Sequence, residues 1–94
     1  MVDALIRKRS ETLRAARRHG VTRIRVLGSM ARGDTRPDSD VDLLVEVGPN
    51  SGPWFPGGLV ADLEAQLHRR VHVVTERGLD ALLRERVLAE AVPL

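Results

Sequence analysis

Two carboxylates, Asp40 and Asp42, stand one residue apart, and ten residues separate them from a Gly28-Ser29 pair. Mg²⁺ prefers hard oxygen ligands and usually takes one or two protein carboxylates together with phosphate and water oxygens. Phosphoryl and nucleotidyl transfer rely on such cations, because negative charge on phosphate oxygens has to be neutralised. The Asp-x-Asp pair therefore predicts a metal site for phosphate chemistry.

The Gly28-Ser29 pair supplies what a phosphate group needs on its other side. Glycine has no Cβ to obstruct a close approach, and serine adds a hydroxyl beside backbone N–H donors. Arg32 is either a further phosphate ligand, through a charge-assisted hydrogen bond, or a surface residue paired with Asp34. Each feature alone is a weak signal, whereas the combination and its spacing indicate one nucleotide site.

Two predicted strands position these groups. Alternation of β-branched residues with arginine predicts a first strand over Val21–Leu27, and residues 29–32 begin a short helix. A second strand is expected over Val41–Val47, after an Asp-rich turn around Pro37. Because side chains alternate along a strand, Asp40 and Asp42 share the face opposite its apolar residues.

The remaining elements give the fold class. Helices are predicted from Val2 to about Arg18, from Leu59 to about Arg69 and from Leu79 to Ala91, with a third strand over Val71–Thr75. Residues 48–58 read as a loop rich in Gly and Pro. The order α-β-α-β-α-β-α predicts a small α/β domain with a three-stranded sheet covered by helices.

Composition excludes several classes of protein. The chain has 94 residues, 43% of them apolar and 30% charged, which predicts one globular domain over 1–94. No apolar run is long enough for a membrane span, and Met1 does not lead into a signal core, so no membrane association and a cytoplasmic location are expected. The absence of cysteine excludes disulfides and thiolate metal sites.

Charge is distributed unevenly. The first 25 residues carry eight cationic side chains and two acidic ones, whereas residues 34–46 carry five acidic side chains and Arg36. An acidic centre beside a basic segment suits a cation-dependent site for an anionic substrate. Nucleic acid is not an expected partner, because the acids interrupt a basic groove and Trp54 and Phe55 are the only aromatic residues.

These motifs resemble the minimal nucleotidyltransferase family, within the DNA polymerase β-like nucleotidyltransferase superfamily. The resemblance is carried by Gly28-Ser29, Ala31-Arg32-Gly33, Ser39 to Leu43 and the closing segment 83–91. It implies a nucleotidyltransferase fold with a mixed sheet. It also implies that the Gly-Ser turn binds a nucleoside triphosphate, while the two aspartates hold Mg²⁺, or Mn²⁺, as the catalytic metal ligands.

The same resemblance implies a biological role. Members of the family often act as antitoxins of HEPN-type toxins, in some cases by transferring AMP from ATP to a toxin tyrosine. A HEPN-type toxin is therefore the expected protein partner. Exposed strand edges also make a homodimer possible, although no residue decides it.

His72 departs from the family pattern. The family usually has a third carboxylate on the third strand, and His72 aligns with it by similarity. Two alternatives follow: an active transferase, or a catalytically silent module that neutralises its partner by docking. From its position in the strand, His72 is expected to be a half-buried structural residue rather than a ligand.

Overall fold

The computed structural model describes residues 3–32, 40–49, 52 and 55–94, with only the backbone described at 3, 4, 29 and 30. The turn expected around Pro37 lies outside these ranges, as do residues 50, 51, 53 and 54 of the loop around Trp54. Within them the elements are α1 (Asp3–Arg7), α2 (Arg9–Arg18), β1 (Val21–Leu27), α3 (Gly28–Arg32), β2 (Val41–Val47), α4 (Gly57–Leu67), β3 (Val71–Thr75), a 3-10 turn (Glu76–Gly78), α5 (Ala81–Glu90) and β4 (Val92–Pro93).

The strands form one mixed sheet in the order β3-β2-β1-β4. Strands β2 and β3 are parallel, whereas β1 is antiparallel to both β2 and β4. The predicted α/β nucleotidyltransferase architecture is confirmed, with β4 as a strand that was not predicted. Strand β4 consists of two residues, one of them proline, so it has no alternating pattern from which it could be predicted. Pro93 is tolerated there because β4 pairs on one side only.

The three predicted strands have the bounds that were expected, and a β-bulge adjusts the first of them. The bulge lies between Val21 and Arg23, where β1 has one residue more than β2. It lets Val21, Ile24 and Val26 all face the core despite their uneven spacing. Arg23 and Arg25 then lie on the opposite face of the sheet.

Helices α2 and α4 cover the apolar face of the sheet, α2 against β1 and α4 against β3. The core holds side chains from every layer, among them Leu5, Ala15, Ala16, Val26, Val41, Leu43, Val45, Leu59, Leu63 and Val71. On the other face Leu44 is buried as well, outside this cluster. At the centre of the sheet, therefore, neither face is fully exposed to solvent.

The first predicted helix is interrupted, which corrects the expectation of one helix to Arg18. Lys8 has φ −100° and ψ 15°, and its carbonyl accepts the first hydrogen bond of α2 from the Thr12 N–H at 2.9 Å. Leu5 in α1 is 1% exposed. A change of direction at Lys8 thus allows a one-turn helix to bring Leu5 into the core.

Helix α5 is the least buried element of the described chain. The Asp80 carboxylate caps it by accepting from the Leu83 N–H at 3.0 Å. None of its residues is buried, and Leu82 is 85% exposed. No helix in the described ranges is long and apolar enough to span a lipid bilayer.

Candidate functional site

The register of the sheet brings one residue from each of three strands into a row. Leu27 of β1 pairs with Asp42 of β2, and Asp42 pairs with His72 of β3. Asp40 precedes β2, where the Val41 N–H donates to the Arg70 carbonyl at 2.8 Å. The row lies at the end of the sheet where β1 ends and where β2 and β3 begin.

Gly28 joins this row through its backbone. Its φ is +64°, a conformation that side chains with a Cβ rarely adopt. A Cβ at this position would lie 3.1 Å from Asp42 Oδ2, closer than ordinary van der Waals contact. Glycine is therefore required at position 28 for two reasons: the positive φ of the turn and the close approach of the Asp42 carboxylate.

Asp40 is contacted on both carboxylate oxygens. His72 Nε2 lies 3.0 Å from Asp40 Oδ2, and Arg70 Nε lies 4.0 Å from Asp40 Oδ1. The Asp40 and His72 side chains are 40% and 57% exposed, so solvent and a ligand can reach both. The carboxylate is thus half-open, with two nitrogen-bearing side chains beside it.

The expected site residues are placed as follows. Asp40 and Asp42 lie on one face of the sheet, with Gly28 against Asp42. Ser29 is in the first turn of α3, and its side chain lies outside the described atoms. Arg32 ends α3 and is exposed. Their roles toward a nucleotide remain predictions.

Two features of the site were not foreseen. His72 was expected to be half-buried, and this was wrong, because the side chain is exposed and in contact with Asp40. Its assignment as a structural residue rather than a ligand stays a prediction. Arg70 was missed altogether. Only the parallel pairing of β2 with β3 brings it to Asp40, and strand direction could not be read from the pattern of residues.

The two carboxylates fit the requirements of Mg²⁺ in type and number. They are hard oxygen donors and are both partly exposed, and the octahedral shell of this ion is normally completed by phosphate and water. Among the described residues, no group of three carboxylate or histidine side chains is already arranged around a common point. This suits a cation that arrives with a triphosphate better than one held in a protein cage.

A separate cavity of about 570 Å³ lies at the opposite end of the sheet, where β2 and β3 end. Its lining includes Glu46, Phe55, Glu76 and Arg84. The hydrogen bond that protonated Glu76 donates to Glu46, together with burial and the charge of Glu46, raises the pKa of Glu76, and Arg25 and Arg84 act against this. The carboxyl pair is remote from Asp40 and Asp42.

Comparison with known proteins identifies the family. The model of the nucleotidyltransferase domain matches residues 9–94. Protein adenylyltransferase MntA of Thermococcus cleftensis is 34% identical over 91 residues, which are 97% of this chain and 90% of that protein. A candidate protein adenylyltransferase of Methanocaldococcus jannaschii is 39% identical over 75 residues, 80% of this chain and 81% of that protein.

Solved structures agree with this assignment. The structure of a candidate minimal nucleotidyltransferase superposes with a TM-score of 0.87 at 46% identity, covering 98% of this chain and 94% of that one. A toxin–antitoxin crystal structure with AMP-PNP shares the fold, with a TM-score of 0.76 at 18% identity, over 98% of this chain and 72% of that one. The chain belongs to the nucleotidyltransferase domain family and is similar to its minimal members.

Proposed function

We propose that this protein binds ATP with Mg²⁺ and transfers AMP to a hydroxyl group of a protein partner, as the antitoxin of a toxin–antitoxin pair. The proposal agrees with the names of the two relatives, both described as protein adenylyltransferases. We propose a HEPN-type toxin as the partner and one of its tyrosines as the acceptor.

The transfer is a displacement at the α-phosphorus. The acceptor oxygen forms a bond to that phosphorus, the bond to the oxygen bridging the α- and β-phosphates breaks, and pyrophosphate leaves. The proton of the acceptor hydroxyl passes to solvent. Bound Mg²⁺ supplies positive charge that neutralises the phosphate oxygens as this exchange proceeds.

The chain's own residues then have distinct tasks. Asp40 and Asp42 hold the cation at the start of β2. The Gly28-Ser29 turn gives the phosphates an unobstructed approach and N–H donors, and Arg32 adds a positive charge. No side chain of this chain offers a tyrosine, because the sequence contains none. The tyrosine acceptor must therefore come from the partner.

One observation carries the proposal: the turn and the carboxylates belong to one site. Gly28 lies so close to Asp42 that a Cβ would be 3.1 Å from the carboxylate oxygen. A phosphate bound at the turn is then within reach of a cation bound at Asp42. A metal site and a phosphate site on separate surfaces would not support transfer.

The alternative function is docking without catalysis, and the surroundings of Asp40 favour it. Both oxygens of this carboxylate face nitrogen groups, His72 Nε2 at 3.0 Å and Arg70 Nε at 4.0 Å. A protonated imidazole and a guanidinium would compete with a cation for the same oxygens. In that case the chain would neutralise its partner by binding alone.

Transfer of label from ATP separates these functions. The protein is incubated with ATP labelled at the α-phosphate, with Mg²⁺ or Mn²⁺, and with the product of the adjacent gene. We expect labelled partner with the wild type, and labelling reduced by about 10²-fold or more in Asp42→Asn, because charge stabilisation at the phosphates is lost. Stable complex formation without labelling under either metal would favour the docking function.

A matched control excludes general damage from loss of a carboxylate. Asp62→Asn is suitable, because Asp62 lies on α4 and contacts His19 Nε2 at 2.7 Å, remote from the row of site residues. Asparagine keeps an oxygen acceptor for that histidine. This variant should label the partner at the wild-type rate.

A further inference from the structure

The outer face of helix α2 is strongly basic. Positions three and four apart lie on the same side of a helix, so Arg14, Arg17 and Arg18 share one face. All three side chains are exposed, whereas Thr12 and Ala15, on the other side of the helix, are fully buried. The three arginines are called the basic face below.

The chain itself does not neutralise the basic face. Among the residues that the structure describes, no carboxylate forms an ion pair with any of the three guanidinium groups. Even Glu11, three residues before Arg14, forms none with it. Like charges at these helical spacings repel one another. The charge of the basic face is therefore available to another molecule.

A cavity of about 240 Å³ adjoins the basic face at the end of α2. Arg17 lines it together with Gly20, Thr22 and Gly48, and none of its described lining residues is acidic. The Gly48 N–H donates to the Gly20 carbonyl at 2.8 Å, which joins the two loops beside the cavity. A carboxylate side chain that enters this cavity can pair with the Arg17 guanidinium.

The basic face suits the carboxylates of a protein better than a nucleic acid backbone. From Arg14 to Arg18 the helix rises about 6 Å, which is room for a few carboxylates but not for a long row of phosphates. Helix α2 has no aromatic residue on which a base could stack. Arginine, unlike lysine, binds a carboxylate through two parallel hydrogen bonds. An acidic patch on a protein fits this chemistry.

The basic face lies away from the row of site residues. Helix α2 packs on the apolar face of the sheet, whereas Asp42 alternates with the buried residues of β2 and projects from the other face. Arg18 leads into the start of β1, and the row lies where β1 ends. A protein bound at the basic face therefore leaves the nucleotide site open.

We infer that the basic face of α2 is a docking surface for an acidic patch on the protein partner, which it attracts and holds without contact with the nucleotide. The inference rests on the proposed function for the existence of that partner and adds the surface that it binds. Attraction between oppositely charged surfaces raises their association rate and is screened by salt. Association with the partner should therefore slow steeply as ionic strength rises.

Association kinetics with the product of the adjacent gene test this surface. In about 50 mM salt the wild type should associate at least about tenfold faster than Arg14→Glu/Arg17→Glu, and the difference should shrink in about 500 mM salt. Arg77→Glu/Arg86→Glu is the control, because both arginines are exposed, lie outside α2 and change the net charge equally. This control should associate at close to the wild-type rate.

A conservative variant and the labelling assay add independent readouts. Arg14→Lys/Arg17→Lys keeps the charge and should keep the association rate, whereas loss of the paired hydrogen bonds should speed dissociation. Arg14→Glu/Arg17→Glu should raise KM for the partner and leave kcat and ATP affinity nearly unchanged, because the basic face is remote from the carboxylates of the site. Circular dichroism checks that each variant is folded.

The outcomes distinguish this inference from the proposed function. A complex with the same rates and salt dependence in the wild type and in Arg14→Glu/Arg17→Glu would overturn the inference and leave the proposed function intact. Equal losses in both glutamate variants would reveal an effect of net charge alone and overturn it too. A complex that depends on the basic face but yields no labelled partner would support the inference and contradict AMP transfer.

Two further results would also overturn the inference. If single-stranded or duplex RNA binds the wild type but not Arg14→Glu/Arg17→Glu, while the protein complex is unchanged, the basic face belongs to nucleic acid. If the wild type forms no complex with the product of the adjacent gene, the inference and the proposed partner both fail.

Discussion

At the scale of single residues, the site depends on one glycine and on the carboxylate that it touches. The spacing of Gly28, Ser29, Asp40 and Asp42 predicts that they act together, and the structure places Gly28 against Asp42. The sequence could not predict the neighbours of Asp40, because these come from β3 through a pairing that local patterns do not encode. Arg70 was therefore missed, whereas Gly28, Asp40 and Asp42 could be selected as candidates from their residue types and spacing.

Gly28→Ala should weaken both folding and ligand binding. The positive φ alone costs an L-residue roughly 1 kcal/mol, and the new Cβ would press on Asp42 Oδ2 at 3.1 Å. We expect the free energy of unfolding to fall by about 1–2 kcal/mol and Mn²⁺ affinity to fall with it. Gly57→Ala is the control, since nothing lies within 4 Å of its Cβ position. Equal behaviour of the two variants would contradict this reading of Gly28.

The carboxyl pair of Glu46 and Glu76 should make stability depend on pH in an unusual direction. Because the pKa of Glu76 is raised in the folded chain, its contribution is present at acidic pH and is lost as the pH rises through that pKa. Glu46→Gln removes the repulsion between the two carboxylates, so this variant should be more stable than wild type at pH 7. The difference should vanish below about pH 4.

Urea unfolding at pH 4, 5.5 and 7 measures this difference. Glu85→Gln on α5 is the control, because it removes the charge of an exposed carboxyl outside this pair. A gap between Glu46→Gln and wild type that widens toward low pH would show that the sign is wrong.

At the scale of elements, strands were predicted better than helices. Alternation defined β1, β2 and β3 to the residue, because each has a buried face that fixes the period of two. The break at Lys8 and the strand at Val92 had no such signal. The first depends on where Leu5 packs, and the second depends on the edge of β1 that it joins.

Helix α5 should be held mainly by its cap. It buries no residue, whereas the Asp80 carboxylate accepts from the Leu83 N–H at 3.0 Å. Asp80→Ala should cost about 1 kcal/mol locally. Amide exchange within α5 should then accelerate about fivefold.

Asp80→Asn keeps a capping oxygen and should exchange like the wild type. Amides of β2 should be unaffected in both variants. Acceleration spread evenly over the whole chain would mean that α5 does not open as a separate unit.

At the scale of the whole molecule, a small core supports the end of the sheet that carries the candidate site. The terminal residues close the fold: the Arg9 side chain donates to the Leu94 carbonyl, and the Leu94 N–H donates to the Ile24 carbonyl at 3.2 Å. This closure explains how the last residues add a strand beside β1. It could not be read from sequence, because it joins positions 85 residues apart.

Replacement of a leucine by alanine should lower the free energy of unfolding far more at a buried position than at an exposed one. Leu63 is 0% exposed, and Leu63→Ala should lower the free energy of unfolding by about 2–5 kcal/mol. Leu82 is 85% exposed, and Leu82→Ala should change it by less than about 0.5 kcal/mol. Denaturant unfolding measures both. Similar losses in the two variants would mean that α5 is packed in solution.

The central claim is that the glycine turn and the two carboxylates form one site for nucleotide and metal. Calorimetric titration of ATP, with and without Mn²⁺, into wild type, Asp42→Asn and Asp62→Asn tests it most directly. We expect Mn²⁺ to strengthen ATP binding to the wild type and to Asp62→Asn but not to Asp42→Asn. Equal strengthening in all three proteins would contradict a shared site.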